Sequence, residues 1–559
     1  MKTRILALFL VLLFVLAGCT QKPANEAVVP MSSQYEEVTE DLNDNTSSDE
    51  TPESTPSNNK VTYEANGGQD VYEGLMGGDE EGGNKGFSMV VEKNTIPATL
   101  STKWEATSTS PVKGGATKEA EAMRKKVINS KNTADLYKWS GKTYYISPNG
   151  DDKNDGLTPQ TAIKTFDADA IYMTPLKPGD ALLFERGGVW RLTSAINARE
   201  GVTYGSYGKG EKPTLVGSMK NYADPELWVA SKKENIWKLT VADSDIGLIV
   251  FNHGEMTGWK KYNGVTVLEK NGDYYYNKND ETIYLYFDKG NPGKYFDDIE
   301  VGLNASAFSV NRDDVVIDNI RIKYFGNHGI NMGGNDNATI TNCELGFIGG
   351  ATQTGTTRFG NAIQQWGTTD KQLVDNNWIY QAYDTGYTWQ GKDGSGRSGT
   401  GAEVYYNNIT VTNNVIDYCA LAIEFWHGDN NAEFLGDVKN FILNNNILTM
   451  SGYGWSADQR PDKCGYAICV RSRWFPNAKG CQIKNNIFDV TSKYTVYWSF
   501  SNGPHGEWDI SGNTFYEASS KLERAVWYGG IKEFKDQGSL ADAVAAFDSK
   551  PAKVTWLTK

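Results

Sequence analysis

A short phrase containing asparagine recurs through the second half of the chain. Each intact copy has an apolar residue, a polar residue and an asparagine in that order. The copies lie at 317–320, 340–343, 374–377, 411–414, 443–446 and 483–486, with a degraded copy at 510–513. Their third positions are 23 to 40 residues apart, and the shortest step has the length of one strand–turn–strand coil. Self-similarity at this period is the signature of a stacked solenoid.

The segments between the copies indicate that the coils are β. They are short, rich in Val, Ile, Tyr and Phe, and show little helical periodicity. Asparagine suits the repeated position because it tolerates left-handed backbone angles at a sharp bend. Stacked amides can also hydrogen-bond into a ladder along such a column. The sequence therefore predicts an all-β, parallel β-helix solenoid.

The N-terminus predicts export and anchoring. Residues 1–18 have a basic start and an apolar run that is too short for a spanning helix. Residues 16–19, Leu-Ala-Gly-Cys, resemble the bacterial lipobox. The resemblance implies cleavage before Cys19 and lipidation of its sulfur, so that the membrane is a partner and the protein is anchored on the extracytoplasmic side. An ordinary secretory signal with an incidental cysteine is the alternative.

The next segments read as a tether and a linker. Residues 20–60 contain nine acidic residues and two lysines, a net charge of −7 out of −14 for the whole chain, so 19–60 is interpreted as a solvated tether. Residues 61–135 are interpreted as a linker or cap extension, with one helix near 118–130. The acidic balance argues against a nucleic-acid partner, and we expect a monomer.

The region from residue 143 resembles the opening cap of the pectin-lyase-like superfamily. The resemblance rests on 144–152, 154–156, 158–159, 164–165, 178–180 and 187–190. It implies a right-handed β-helix over 136–535 with an N-terminal cap, and we expect a short helical cap within 536–559. The superfamily contains polysaccharide lyases and glycoside hydrolases, so the resemblance implies a carbohydrate partner without selecting the reaction.

A second strand is predicted after each asparagine turn, with its second and fourth residues pointing inward. The third and fifth residues then form two outward columns. The first column is predicted to be Asn331, Gln364, Thr388, Glu424, Cys469 and Trp498. The second is predicted to be Gly333, Trp366, Gln390, Trp426, Arg471 and Phe500.

These columns suit a sugar-binding groove, because aromatic rings stack on sugar faces while polar groups bind hydroxyls. Insertions at 391–404, 428–437 and 452–464 flank the same strands and would wall such a groove. In the alternative, the tryptophans only cover the solenoid. The predicted substrate-binding residues are Trp366, Gln364, Gln390, Trp426, His427, Arg471 and Arg473.

Glycoside hydrolysis needs two carboxyl groups that flank the scissile bond. Glu424 is the predicted acid, because its aromatic neighbours in the sequence would raise its pKa. Asp384 is the predicted partner and Asp429 the reserve. Two structural interpretations stay open: an ion pair of Glu424 with Arg471, and a turn-forming role for Asp384.

Two other functions stay open. In a polysaccharide lyase, Arg471 and Arg473 would serve as base and carboxylate clamp, and calcium would be a possible cofactor. The protein would otherwise be a surface lipoprotein that binds glycan without cleaving it. No cofactor and no metal site is predicted for the hydrolase, and the Asp-rich loop at 151–155 is interpreted as a structural turn.

Overall fold

The structure is a computed structural model. It describes residues 89–93, 110, 112–166, 176–391, 404–427, 438–457, 459–471, 478–498, 506–518, 524–528 and 530–558. The predicted signal peptide, Cys19 and the predicted acidic tether lie outside the described residues.

Each coil contributes one strand to each of three sheets, which we number in the order in which a coil enters them. Neighbouring coils pair in parallel and in register, as shown by Ile317 opposite Ile340 and by Ile340 opposite Val374. Parallel crossover connections of this kind are right-handed in nearly all proteins. The predicted parallel β-helix is therefore confirmed.

Sheet 1 carries the asparagine phrase: Thr143–Ile146, Ala181–Glu185, Thr203–Tyr207, Val316–Asp318, Thr339–Thr341, Thr369–Asp375, Tyr406–Thr412, Ile442–Asn444, Cys481–Lys484 and Trp508–Ser511, with Val438–Lys439 paired to one side. Sheet 2 follows the turn: Gly188–Leu192, Thr214–Val216, Arg321–Lys323, Glu344–Ile348, Trp378–Ala382, Val415–Asp417, Ile447–Ser451, Ile487–Thr491, Thr514–Ala518 and Lys553–Leu557. Met89–Lys93 adds an antiparallel edge strand beside Gly188–Leu192. Sheet 3 completes each coil: Ile196–Asn197, Phe308–Val310, Ile330–Gly333, Ile363–Trp366, Thr385–Gly391, Leu421–His427, Tyr466–Val470, Tyr494–Trp498, Ala525–Trp527 and Ile531–Glu533.

The third position of the phrase adopts the left-handed backbone that the sequence predicts. The six asparagines from Asn319 to Asn485 have φ between 53° and 59°, and Gly512 in the degraded copy has φ 73°. Glycine fits there because left-handed angles cost it nothing.

The continuous amide ladder lies one position later than predicted. Asparagines at the fourth position are fully buried, and each donates from Nδ2 to the Oδ1 of the next coil at 2.9–3.1 Å. The ladder runs through Asn377, Asn414, Asn446, Asn486 and Asn513 and ends on the Asp548 carboxylate at 2.9 Å. The third-position side chains vary: Asn319, Asn342 and Asn376 are buried, whereas Asn445 and Asn485 are exposed.

An inserted β unit that the sequence did not predict interrupts the solenoid at about 219–303. A five-stranded sheet consists of Val229–Ala230, Ile236–Thr240, Trp259–Lys260, Asp273–Asn277 and Thr282–Tyr286. A three-stranded sheet consists of Ile246–Phe251, Met256–Thr257 and Ile299–Leu303. The unit has its own apolar cluster around Phe251, Tyr274 and Ile283.

The helix expected near 118–130 spans Thr117–Ile128 and lies beside sheet 2. Asp489 of sheet 2 accepts hydrogen bonds from the backbone N–H of Gly115 and Ala116, at 2.7 and 3.1 Å. The remaining helices are Thr133–Leu136, Pro292–Tyr295 and Gln537–Ala545, with 3-10 turns at Pro159–Thr161, Pro225–Leu227, Asn252–Gly254 and Val265–Val267. No helix among the described ranges is long and apolar enough to cross a membrane.

The C-terminal segment closes the last coil. Helix Gln537–Ala545 begins with an Asp536 cap and packs on the final strands of sheet 3. Lys553–Leu557 then pairs in parallel with Thr514–Ala518, so the last coil has a partner on sheet 2. The expected C-terminal cap is present, and it covers a strand edge that would otherwise invite pairing with another chain.

Candidate active site in a cleft on sheet 3

The register of sheet 3 matches the predicted columns over its central coils. Gln364 pairs with Thr388, Thr388 with Glu424, and Glu424 with Cys469. The prediction for the following coil is wrong by one residue, because Tyr497 rather than Trp498 pairs with Cys469. Trp498 consequently points into the core, where it is fully buried. Phe500 lies outside the described residues.

A cleft of about 560 Å³ opens on the outer face of this sheet. It brings together most of the predicted site residues: Glu424, Asp384, Trp366, Trp426, Gln364, Gln390 and Arg471. Asp429, Arg473 and the side chain of His427 lie outside the described residues. The insertion at 452–464 reaches the cleft through Arg460 and Asp462, as expected of a groove wall. Most of the other two insertions lies outside the described ranges.

Glu424 is a buried carboxyl with one oxygen fully engaged. Its Oε2 accepts hydrogen bonds from Thr388 Oγ1 at 3.1 Å and Gln390 Nε2 at 3.0 Å, and a longer one from Thr385 Oγ1 at 3.3 Å. The residue is 4% exposed. Burial, and after it the negative charge of Asp384, raises the pKa of the Glu424 carboxyl.

The ion pair between Glu424 and Arg471 is present but loose. Arg471 Nε lies 3.6 Å from Glu424 Oε1, and its Nη2 lies 3.6 Å from Asp462 Oδ2. Its one hydrogen bond within the described part of the chain is to Cys469 Sγ, at 3.4 Å. The side chain is 32% exposed, so solvent weakens its hold on Glu424.

Asp384 is held by an arginine that sequence reasoning missed. Arg460 Nη1 donates to Asp384 Oδ1 at 2.8 Å, while Nε and Nη2 of Arg460 each reach Asp462 at 3.1 Å. Burial by itself would raise the pKa of the Asp462 carboxyl. The charges of Arg460 and, more weakly, of Arg471 outweigh burial and hold this pKa well below its usual range. The signal available in the sequence was a charged pair within the insertion at 452–464.

Arg460 is held in place by the inserted β unit through the neighbouring residue Gln459. Gln459 precedes Arg460, and its Nε2 donates to the Gly258 carbonyl at 3.0 Å. Its Oε1 accepts from Arg358 Nη1 at 2.9 Å. The Arg358 guanidinium also lies 4.1 Å from the ring centroid of Tyr383, the residue before Asp384. The inserted unit therefore supports the loop that positions the Asp384 carboxylate.

A row of amides lines the cleft on the N-terminal side of Glu424. Asn361 Nδ2 donates to Gln364 Oε1 at 2.8 Å, and Gln364 Nε2 donates to Asn331 Oδ1 at 3.0 Å. Behind them, His328 Nδ1 accepts from the Asn361 backbone N–H at 3.1 Å, and burial lowers the pKa of His328 to about 4. Neutral donors and acceptors in a row suit sugar hydroxyls.

Two tryptophans flank Gln390 in the same register. Trp366 pairs with Gln390, and Gln390 pairs with Trp426. The two indole rings lean together over Gln390, with centroids 6.1 Å apart and planes 33° apart. Trp366 Nε1 is buried without a hydrogen-bond partner among the described residues. Both tryptophans line the cleft.

Within the described part of the chain, no group of three or more His, Cys, Asp or Glu side chains is placed to hold a metal ion. The five described cysteines are free and buried, and Cys343 is among them. In the loop at 151–155, Asp152 accepts hydrogen bonds from the backbone N–H of Lys164 and Thr165. Asp155 accepts them from Leu157 N–H and the Thr161 hydroxyl, as a structural turn requires.

No protein-family model and no curated protein sequence matches the chain. Among solved structures, a complex of XylC with xylose is 13% identical, covers 70% of this chain and 73% of its own, and has a TM-score of 0.38. A glycoside hydrolase is 9% identical with 74% and 97% covered and a TM-score of 0.40. Pectate lyase Pel9A is 11% identical with 70% and 72% covered and a TM-score of 0.28. At such scores these likenesses locate no substrate and no residue here, and the sheets themselves show that the chain is a parallel β-helix protein.

Proposed function

We propose that this protein is a glycoside hydrolase whose two reacting carboxyl groups are Glu424 and Asp384. The observation that carries the proposal is the contrast between these groups within one cleft. Glu424 is buried and its pKa is raised, whereas Asp384 is paired with a guanidinium at 2.8 Å. A buried carboxyl with a raised pKa suits the general acid, and a carboxyl held by a guanidinium suits the nucleophile or base, which is the division of roles that glycoside hydrolysis needs.

In this mechanism Glu424 donates its proton to the oxygen of the scissile glycosidic bond as that bond breaks. The Asp384 carboxylate either attacks the anomeric carbon or takes a proton from the attacking water. Arg460 orients Asp384, while Trp366 and Trp426 stack on the sugar rings. The amides of Gln364 and Asn331 bind hydroxyl groups.

Elimination is a weaker alternative because the arginines that would have to act as the base are unsuited to that role. An arginine guanidinium does not give up its proton in proteins, and Arg460 and Arg471 both lie against carboxylates. Lysine is absent from the described residues that line the cleft. Hydrolysis therefore fits the side chains better than proton abstraction.

Anchoring through Cys19 is part of the proposal and rests on the lipobox resemblance alone. A lipidated Cys19 followed by an acidic tether would hold the cleft away from the membrane, where an extracellular polysaccharide is accessible. Labelling cells with a radioactive fatty acid would test it, because Cys19→Ser should remove the label from the protein.

The activity test uses residues 61–559 with a panel of neutral and uronate-containing polysaccharides. New reducing ends and the near-ultraviolet absorbance of unsaturated uronates are followed together. We expect reducing ends without that absorbance, and a loss of about a thousandfold in Glu424→Gln. On an aryl glycoside of the cleaved sugar, whose leaving group needs no proton, Glu424→Gln should recover much of its rate.

Glu517→Gln is the matched control, because Glu517 is also a buried glutamate beside an arginine but does not line the cleft. Its activity per folded molecule should equal that of the parent protein. Absorbance that rises in step with reducing ends would replace the hydrolase with a lyase. Binding to a glycan without either product would instead identify a non-catalytic lipoprotein.

A further inference from the structure

The outward column that contains Glu424 continues beyond the cleft towards the C-terminus. Glu424 pairs with Cys469, Cys469 with Tyr497, and Tyr497 with Trp527. Ile531, in the final antiparallel strand, lies directly opposite Trp527. Paired residues in neighbouring strands point to the same face, so Tyr497, Trp527 and Ile531 share the face of Glu424.

These side chains form a preorganised apolar strip. Tyr466 and Tyr497 stack with ring centroids 5.3 Å apart and planes 16° apart, and Trp527 meets Tyr497 edge-on at 4.8 Å. Tyr497 and Trp527 are half-buried, and Ile531 is 51% exposed. Rings fixed by each other lose little freedom when a ligand covers them.

The strip lies at a distance that only a chain ligand can span. Successive coils are about 4.8 Å apart, so Tyr497 and Trp527 lie about 10 and 14 Å beyond Glu424 along the solenoid axis. Trp366 lies about 10 Å from Glu424 in the opposite direction, two coils towards the N-terminus. A glycan that follows sheet 3 through the cleft would contact aromatic rings on both sides of the scissile bond.

We propose that Tyr497, Trp527 and Ile531 form a distal binding site for the same glycan chain that enters the cleft. This inference rests on the proposed function and adds that the substrate is a polymer bound along the sheet, cleaved away from its ends. Tyr497 and Trp527 continue the column of Glu424 on the same face, with the fully buried Cys469 between them and the cleft. This shared face and column argue for the glycan rather than for a separate protein partner.

The test measures kcat/KM for oligosaccharides of increasing length prepared from the cleaved polysaccharide. Trp527→Ala should leave the shortest cleaved oligosaccharides unaffected and lower kcat/KM about tenfold for those long enough to reach the strip. Trp527→Phe should restore most of this loss. Trp259→Ala is the matched control, because Trp259 is a 39% exposed tryptophan on the inserted unit, and it should behave like the parent protein at every length.

An equal loss at all lengths, or no loss at any length, would overturn the distal site while leaving the hydrolase standing. If the parent protein cleaves nothing, the proposed hydrolysis fails and the strip is tested by binding alone. Electrophoresis through gels that contain each polysaccharide should then show retardation that Trp527→Ala reduces and Trp259→Ala does not. Equal migration of all three proteins in every gel would overturn the site.

Discussion

Two buried glutamates of this solenoid have similar hydrogen-bond donors and differ in the exposure of the arginine beside them. Glu517 accepts hydrogen bonds from the hydroxyls of Thr491 and Thr495, at 2.9 and 2.7 Å, and from Arg524 Nη1 at 3.0 Å. Glu424 likewise has two threonine donors and an arginine neighbour. Burial raises the pKa of both carboxyls.

The difference lies in the arginine. Arg524 is 1% exposed, and its Nη2 also binds the Tyr453 hydroxyl at 2.6 Å. Arg471 is 32% exposed and stands 3.6 Å from Glu424 at the mouth of a cleft. A raised pKa therefore does not by itself distinguish a reacting carboxyl from a structural one. A partly exposed partner that faces an open cleft is the more informative feature.

The largest expected difference in folding between the two clusters is in stability. Glu517→Gln removes the charge that pairs with a fully buried Arg524, so the free energy of unfolding should fall by about 3 kcal/mol. Glu424→Gln leaves Arg471 partly in solvent, so no comparable loss is expected. Urea unfolding of both variants at neutral pH measures this.

Arg524→Met in the Glu517→Gln background provides the check on that explanation. If the unpaired guanidinium causes the loss, removing it should restore part of the stability. Equal destabilisation by both glutamine substitutions would mean that the clusters are equivalent, and the comparison would be wrong.

A smaller effect should come from the support behind the cleft. Gln459→Leu removes the bonds to Gly258 and Arg358 that position the loop carrying Arg460. A slight displacement of Asp384 should lower kcat about tenfold, about 1.4 kcal/mol in the barrier, with KM little changed. Gln482→Leu, on sheet 1, is the control and should retain full kcat.

Combination with Asp384→Asn tests whether Gln459 acts through Asp384. Once Asp384→Asn has removed the carboxylate, adding Gln459→Leu should cost little more. An undiminished tenfold loss in the double variant would show that Gln459 acts by another route.

The smallest expected effect is on the pH dependence of stability. A carboxyl whose pKa is raised by folding stabilises the folded state while protonated, below about pH 4.5, and that contribution is lost as pH rises through the folded pKa. In Glu424→Gln the side chain does not ionise, so this loss of folding stability does not occur. Its free energy of unfolding relative to the parent protein should therefore increase from pH 4.5 towards neutrality. A difference that stays flat over this range would contradict the raised pKa.

The sequence predicts the parts of the site that depend on strand alternation. Where a polar residue sits between apolar ones, as Glu424 sits between Ile423 and Phe425, the outward face is unambiguous. In Tyr494–Trp498 aromatic residues occupy both faces, so alternation carries no information and Trp498 was assigned to the wrong side. A single residue of slip exchanges the two faces.

Arg460, Asp462 and Gln459 were missed for a different reason. They reach the cleft from a loop whose course has no period, and the loop is fixed by contacts to an inserted unit that is about 200 residues distant in the sequence. The asparagine turns were predictable because their requirement is local, a left-handed backbone at one position. Long-range support of this kind leaves no comparable local pattern.

The buried ladder has a direction, and the direction makes the number of coils adjustable. Within the ladder each asparagine side chain donates to the asparagine of the next coil and accepts from that of the preceding one, so every coil presents the same acceptor to its predecessor. The Asp548 carboxylate accepts from the last asparagine of the ladder and needs no acceptor of its own, so it can end the ladder after any number of coils. Adding or deleting one coil would leave no asparagine Nδ2 of the ladder without an acceptor. The outer face of sheet 3, which carries the cleft, could therefore be lengthened one strand at a time without a redesign of the interior.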